Sequence, residues 1–291
     1  NNPNITIGQK QISDCQPTFI IAELSGNHHQ KYEEAVSLVE AAAVAGADAV
    51  KLQTYTPDTL TLKSDRPWFR VGDKDQPGNW QDRTLYDLYT EAQTPWEWQS
   101  KLKTLAESLG LIFFSTPFDE TAVDFLEKLS VPCYKIASYE AVHLPLLTKV
   151  ARTQKPIIMS VGFADKNEID EAVNTLRTNG AKEIALLHCL TAYAGTPDPR
   201  RSHLRTIDDL KKRLQVVSGF SDNNAGITIP IVAATIAGGS IIEKHLILDR
   251  KLEGPDARFS LTPKEFGEMV AAIRTYEKGG QQIINQYATT T

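Results

Sequence analysis

Short apolar runs alternate with amphipathic stretches along almost the whole chain. Eight such runs occupy 19–24, 47–53, 111–115, 133–137, 156–160, 184–188, 215–220 and 240–245. Each has the length of a strand, and near-continuous apolarity is the pattern of a strand covered on both faces. Between them, segments at 32–45, 96–109, 121–129, 168–178 and 263–276 repeat apolar residues every three or four positions, as a helix with one buried stripe does. Thr94-Pro95 and Thr262-Pro263 are helix-start signals, because proline has no N–H to lose in a first turn. Eight strand–helix units predict an α/β fold, a single (β/α)8 TIM barrel. A doubly wound open sheet is the alternative. It usually has fewer strands and a glycine-rich first turn, and no GxGxxG or GxxxxGK[ST] follows a run here.

Ahead of the first unit, residues 5–12 alternate around Gly8 and predict a short β-hairpin. The expected organisation is an N-terminal hairpin at 1–16, a catalytic barrel at 17–278 and a polar tail at 279–291. Residues 54–94, with Gly72, Pro77-Gly78, Trp68, Phe69, Trp80 and Tyr86, read as one long irregular loop after the second strand, where a barrel enzyme places a lid. The longest uncharged apolar stretch, 226–242, is broken by Pro230 and Gly238-Gly239 and reads as helix, turn and strand, not a membrane span. No secretory signal opens the chain, which starts at Asn1.

Composition narrows the function classes. A length of 291 residues, 41% hydrophobic and 23% charged, suits one soluble enzyme domain. Net charge is −5, with no field to attract nucleic acid or an anionic membrane. Small molecules are therefore the expected partners. Cys15, Cys133 and Cys189 are odd in number, far apart and outside CxxC spacing, which points to a reducing cytoplasm. His188-Cys189 is a poor nucleophile pair, since neighbours on a strand face opposite ways.

The chemistry lies at the ends of the runs. They close on Glu23, on Lys51 and Gln53, on Ser115-Thr116, on Lys135 and Ser138, on Ser160, on His188 and Thr191, on Ser221-Asp222 and on Lys244-His245. In a (β/α)8 barrel these ends converge on one face. Lysines among hydroxyls there suit a phosphate plus a carboxylate.

At these residues the sequence resembles the sialic acid synthase family, most closely its pseudaminic acid synthase branch. The matching stretches are FIIAELSGNH at 19–28, DAVKLQTY at 48–55, TLYDLYTEAQTPWEW at 84–98, FFSTPFD at 113–119, YKIASYE at 134–140, PIIMSVG at 156–162, LLHCLTAY at 186–193, GFSD at 219–222, IIEKHLILDR at 241–250 and GPDARFSL at 254–261. The resemblance implies condensation of phosphoenolpyruvate with an N-acylamino hexose, of 2,4-diacetamido-trideoxyhexose or N-acetylmannosamine type, to give a nonulosonic acid and phosphate. It implies that Lys51, Thr116, Lys135, Ser138, Ser160, Thr191 and Ser221 hold phosphoenolpyruvate. Glu23 takes the role of the carboxylate that manages proton transfer. Gln53, Asn79, Glu140, Tyr193 and Asp256 match sugar contacts.

His245 matches one of two histidines that bind a divalent metal, Mn2+ or Mg2+. The second falls in an SDH motif that here reads Ser221-Asp222-Asn223, so the metal site is expected to be weakened or lost. Thr191 stands where the sialic acid branch has Asn. The family usually adds a C-terminal antifreeze-like domain whose Arg reaches a partner subunit's site, and nothing before Thr291 resembles it, so a homodimer is left open. Two other readings stand beside this one: another barrel lyase or aldolase with Lys135 or Lys51 as nucleophile, and a catalytically silent sugar- or phosphate-binding homologue.

Overall fold

The computed structural model describes residues 2–71, 82–190 and 198–285, with side chains as far as Gly280. Strands β1 (Ile5–Ile7) and β2 (Lys10–Ile12) form the antiparallel hairpin, with Ile5 opposite Ile12 and Gly8 in the turn at φ 59°. Eight parallel strands follow: β3 (Phe19–Glu23), β4 (Ala49–Thr54), β5 (Ile112–Pro117), β6 (Tyr134–Ile136), β7 (Ile157–Ser160), β8 (Ile184–Leu190), β9 (Val217–Asp222) and β10 (Ile241–His245). They close into a barrel in chain order, β10 pairing with β3.

The helices are α1 (Tyr32–Val44), α2 (Pro57–Leu60), α3 (Leu85–Ala92), α4 (Trp96–Ser108), α5 (Glu120–Lys128), α6 (Leu144–Ala151), α7 (Lys166–Thr178), α8 (Arg205–Leu214), α9 (Thr228–Thr235) and α10 (Pro263–Asn285). Their starts are written locally. Asp119 accepts from the amides of Thr121 and Ala122, and Asp165 and Glu168 bond each other's amides in a capping box. Among the described residues no helix is long and apolar enough to cross a membrane.

Strand alternation divides the packing into two bodies. Outward residues such as Ile20, Val50, Phe113, Ile136, Met159, Leu186 and Phe220 meet the apolar stripes of the helices. Inward residues Phe19, Ile21, Ala49, Phe114, Cys133, Ile158, Leu187, Val217 and Ile241 fill the lower barrel, where Ile5, Ile7 and Ile12 of the hairpin stopper them. Each such fully buried Ile or Leu contributes about 1.5–3 kcal/mol. Gly219 also faces inward, and a Cβ there would lie 2.2 Å from the Ile241 carbonyl oxygen.

Two expectations need correction. The segment 54–94 is not one irregular loop: it carries α2 and α3, the latter started by Thr84, whose hydroxyl accepts from Asp87 N. The last helix continues through Gly279-Gly280 to Asn285, into the segment set apart as a polar tail. Gly280 lies under the Tyr276 ring, where a side chain would collide, so that glycine serves packing, and neither glycine ends the helix. Residues 72–81, with Asn79 and Trp80, 191–197, with Thr191 and Tyr193, and 286–291 lie outside the described residues.

Candidate active site

One step above the apolar filling, every strand of the barrel turns a different kind of side chain inward. Glu23, Lys51, Thr116, Lys135, Ser160, Cys189, Ser221 and Glu243 floor a cavity of about 480 Å³, and His245 and Gln53 stand in its wall. The two-residue period that places Ile21 and Ala49 in the core places Glu23 and Lys51 in the cavity. Five of the eight floor residues stand at or near the C-terminal end of a strand, the face where barrel enzymes do their chemistry. Lys51, Lys135 and Glu243 sit in the middle of β4, β6 and β10.

The floor is a chain of alternating charge. Glu23 Oε2 is in contact with Lys51 Nζ, which also donates to Thr116 Oγ1 at 3.0 Å. Lys51 Nζ lies 3.9 Å from Glu243 Oε2, and Lys135 Nζ lies 3.6 Å from Glu243 Oε1. Lys135 further donates to Ser160 Oγ at 2.7 Å and to the Ile136 carbonyl, and Ser221 Oγ donates to Glu243 Oε1 at 2.9 Å. Lys51 and Lys135 are only 4% and 2% exposed, so neither has bulk water to stabilise its charge. Ordinary burial would lower both; for Lys51 the two carboxylates outweigh it and raise the ammonium's pKa, whereas Lys135 stays lowered. Burial raises Glu23 to about 7, Lys51 opposing and Glu243 adding to the shift.

Ser138 closes the floor on the β6 side and accepts from Gly162 N at 3.2 Å. Higher up, Gln53, Glu140 and Asp256 line the wall. Burial lifts Glu140 to about 7, and its Oε2 is buried without a hydrogen-bond partner. The upper wall is apolar and aromatic: Leu60, Leu85 and Leu88 from α2 and α3 face it, with Phe118 and the stacked Tyr139–Phe163 pair at the rim.

His245 and Asn223 meet on the wall between β9 and β10, with Nε2 3.1 Å from Oδ1. Among the described residues no cluster of three or more His, Cys, Asp or Glu is arranged around a metal position. Burial holds the imidazole pKa near 4, so it is neutral, as a ligand must be. The 3.1 Å contact brings the imidazole nitrogen and the amide oxygen to one point of the wall, where both could serve a single ion. An imidazole nitrogen with an amide oxygen fits a hard or borderline cation such as Mg2+ or Mn2+ better than a soft one.

Every described residue expected at the site is in this cavity. Four strand-end residues are not. Lys244 and Asp222 point outward and pair at 2.9 Å behind the wall, with Lys244 also bonded to the Asn224 carbonyl. His188 faces out, against Phe220 and the Ser202 carbonyl, leaving Cys189 to the cavity. Ser115 bonds Thr54 outside the barrel wall. Strand parity explains all four, because each neighbours an inward residue. The sequence reading missed Glu243, an acidic residue in the middle of a strand two positions before His245; its parity with His245 was the available signal. It also missed Ser25, just past β3.

Fold and cavity together define a (β/α)8-barrel enzyme with its chemistry at the C-terminal ends of the strands. The profile of the NeuB family matches residues 38–284. The chain is 43% identical over 259 residues to pseudaminic acid synthase of Helicobacter pylori, covering 89% of this chain and 74% of that protein. It is 35% identical over 265 residues to N,N'-diacetyllegionaminic acid synthase of Campylobacter jejuni, covering 90% and 77%. The crystal structure of N-acetylneuraminic acid (sialic acid) synthetase from Leptospira borgpetersenii, in complex with citrate, superposes with a TM-score of 0.84 at 29% identity, covering 100% of this chain and 93% of that one. The chain belongs to the NeuB family, and with it to the nonulosonic acid synthases.

Proposed function

We propose that the enzyme condenses phosphoenolpyruvate with the open-chain form of an N-acylamino hexose, releasing phosphate and a nonulosonic acid. The observation that carries this is the pair of buried ammonium groups, Lys51 and Lys135, ringed by Thr116, Ser138, Ser160 and Ser221 at one end of a closed barrel. That floor offers donors to a phosphate and a carboxylate at once. Above it, Gln53, Glu140 and Asp256 offer polar contacts to the sugar, and the apolar upper wall suits deoxy and acetyl groups. This favours the 2,4-diacetamido-trideoxyhexose type over N-acetylmannosamine, in line with the 43% identity to a pseudaminic acid synthase.

Carbon 3 of phosphoenolpyruvate bonds to the aldehyde carbon, whose oxygen takes up a proton. Water adds at the cationic carbon 2 and loses a proton, and the C–O bond to phosphate then breaks. Glu23, held near neutrality, is placed to give and accept these protons. The lysines and hydroxyls fix phosphoenolpyruvate for attack and take the charge of the leaving phosphate. His245 and Asn223 would hold a divalent cation, which when bound polarises the aldehyde oxygen or orients the water. The buried thiols suit work in the cytoplasm.

Phosphate release measured with phosphoenolpyruvate and candidate acylamino hexoses, with and without Mn2+, tests the reading. Release requiring both substrates supports it, and absence of release with every sugar overturns it. A Schiff-base aldolase is the second reading, favoured by the burial-lowered Lys135. Borohydride trapping of pyruvate on Lys135 decides between them.

A further inference from the structure

Ser25 has φ 38°, in the left-handed region that non-glycine residues avoid. The bend turns its hydroxyl back across the cavity wall to two partners. Ser25 Oγ lies 2.6 Å from Asp256 Oδ2 and 3.1 Å from His245 Nδ1. The same carboxylate oxygen accepts from Gly26 N at 3.2 Å. Gly26 itself is pinned, since a Cβ there would lie 2.9 Å from Ala92 Cα in α3. Asp256, Ser25 and His245 thus form a fixed line from the loop after β10, through the loop after β3, to the end of β10.

The line has one consistent set of protons. A carboxylate only accepts, so the single hydroxyl proton of Ser25 goes to Asp256. The Ser25 oxygen is then left as the acceptor for His245, whose proton must sit on Nδ1. The other ring nitrogen, Nε2, carries a bare lone pair and points at Asn223 Oδ1, also an acceptor. Metal-ligating histidines are oriented in this way, through a hydrogen bond from the nitrogen that does not bind the ion.

We infer that Ser25 and Asp256 are positioning residues that lock His245 as its Nδ1–H tautomer and turn the Nε2 lone pair onto Asn223. The inference extends the cation reading given above. It assigns Asp256 a task besides touching sugar, carried by Oδ2, and it gives the bend at Ser25 a purpose. Rotating the Asn223 amide changes what Nε2 faces, not its protonation.

The test uses the whole chain labelled with 15N-histidine, in two measurements. In metal-free protein near pH 7, the His245 Nε2 resonance is expected to be pyridine-like and Nδ1 pyrrole-like. Asp256→Asn, which frees Ser25 to donate to the ring, is expected to shift His245 toward the opposite tautomer. Mn2+ binding followed by electron paramagnetic resonance is expected to weaken about 10–100-fold in Ser25→Ala, the usual effect of losing such a partner. A protonated Nε2 in the unsubstituted protein overturns the inference, as does Mn2+ affinity unchanged by both substitutions. A bare Nε2 with no Mn2+ binding at all supports the tautomer lock and overturns the cation reading alone.

Discussion

The carboxylate of Glu23 rests against the ammonium of Lys51 on the neighbouring strand, and the β3–β4 register sets the two residues directly opposite. Both are almost fully buried, so each is the other's main replacement for water. Breaking such a pair from one side costs up to about 3–5 kcal/mol where the remaining group stays charged, as Glu23 does above its pKa, whereas replacing both partners by neutral groups is far milder. Lys51→Met is therefore expected to lower the melting temperature by more than the double variant Glu23→Gln/Lys51→Met. Equal losses in thermal melts would show that Glu23 does not depend on Lys51 for its burial.

As the proposed proton donor, Glu23 at about 7 is expected to set a pH limit on the rate. Its protonated form, the proton donor, is populated below that value and lost above it. With saturating substrates the rate is expected to fall as pH rises through about 7, and Glu23→Gln to remove about 10²–10⁴-fold of it. Glu140 titrates in the same region, so the limb should persist in Glu140→Gln. If it vanishes there, Glu140 is the group that matters.

Glu140 has a consequence for stability as well. Its folded pKa, about 7, lies above the ordinary 4.5, so the folded state holds the proton more tightly than the unfolded chain does. That contribution is complete below about 4.5 and disappears as pH climbs toward 7. Denaturant titrations across this window are expected to show stability falling with pH, less steeply in Glu140→Gln. Identical slopes would mean that Glu140 is solvated in the folded protein.

Glu243 sits between the two lysines and repels any anion they attract. Like charges a few ångströms apart in an effective dielectric of about 20 oppose each other by a few kcal/mol. Glu243→Gln is expected to tighten inorganic phosphate binding by at least about tenfold, roughly 1.4 kcal/mol, while turnover falls because the lysines lose their spacing. Calorimetry with phosphate reads the first effect, and weaker binding would make Glu243 a structural support of the anion site.

Asn223→His exchanges an amide oxygen for a second imidazole facing His245. Imidazole binds Mn2+ more strongly than a neutral amide, so affinity should rise by about tenfold or more. Mn2+ calorimetry on the two proteins checks this, and no gain would place the cation elsewhere.

The barrel was legible because its signals are local and repeated: eight apolar runs, each long enough for one strand and each followed by a helical period. The site was legible where strand ends carried polar groups. What the one-dimensional pattern hid was direction. Asp222, His188 and Lys244 look as functional as Ser221, Cys189 and Glu243, and only the parity of each strand separates them. Ser25 was hidden for another reason. Its role comes from a left-handed bend and from residues about 220–230 positions away, which no local spacing records. Helix α3 escaped because aromatic and glycine signals around it suggested a loop, while its Thr84 start lay inside that stretch.

The hairpin that caps the lower barrel turns a tube into a cup. Ile5, Ile7 and Ile12 seal the end away from the lysines, so reactants and products share the opposite mouth of the barrel. A ligand held on the lysines would be covered by whatever binds above it, and specificity can change at the lip while the vessel beneath keeps its shape.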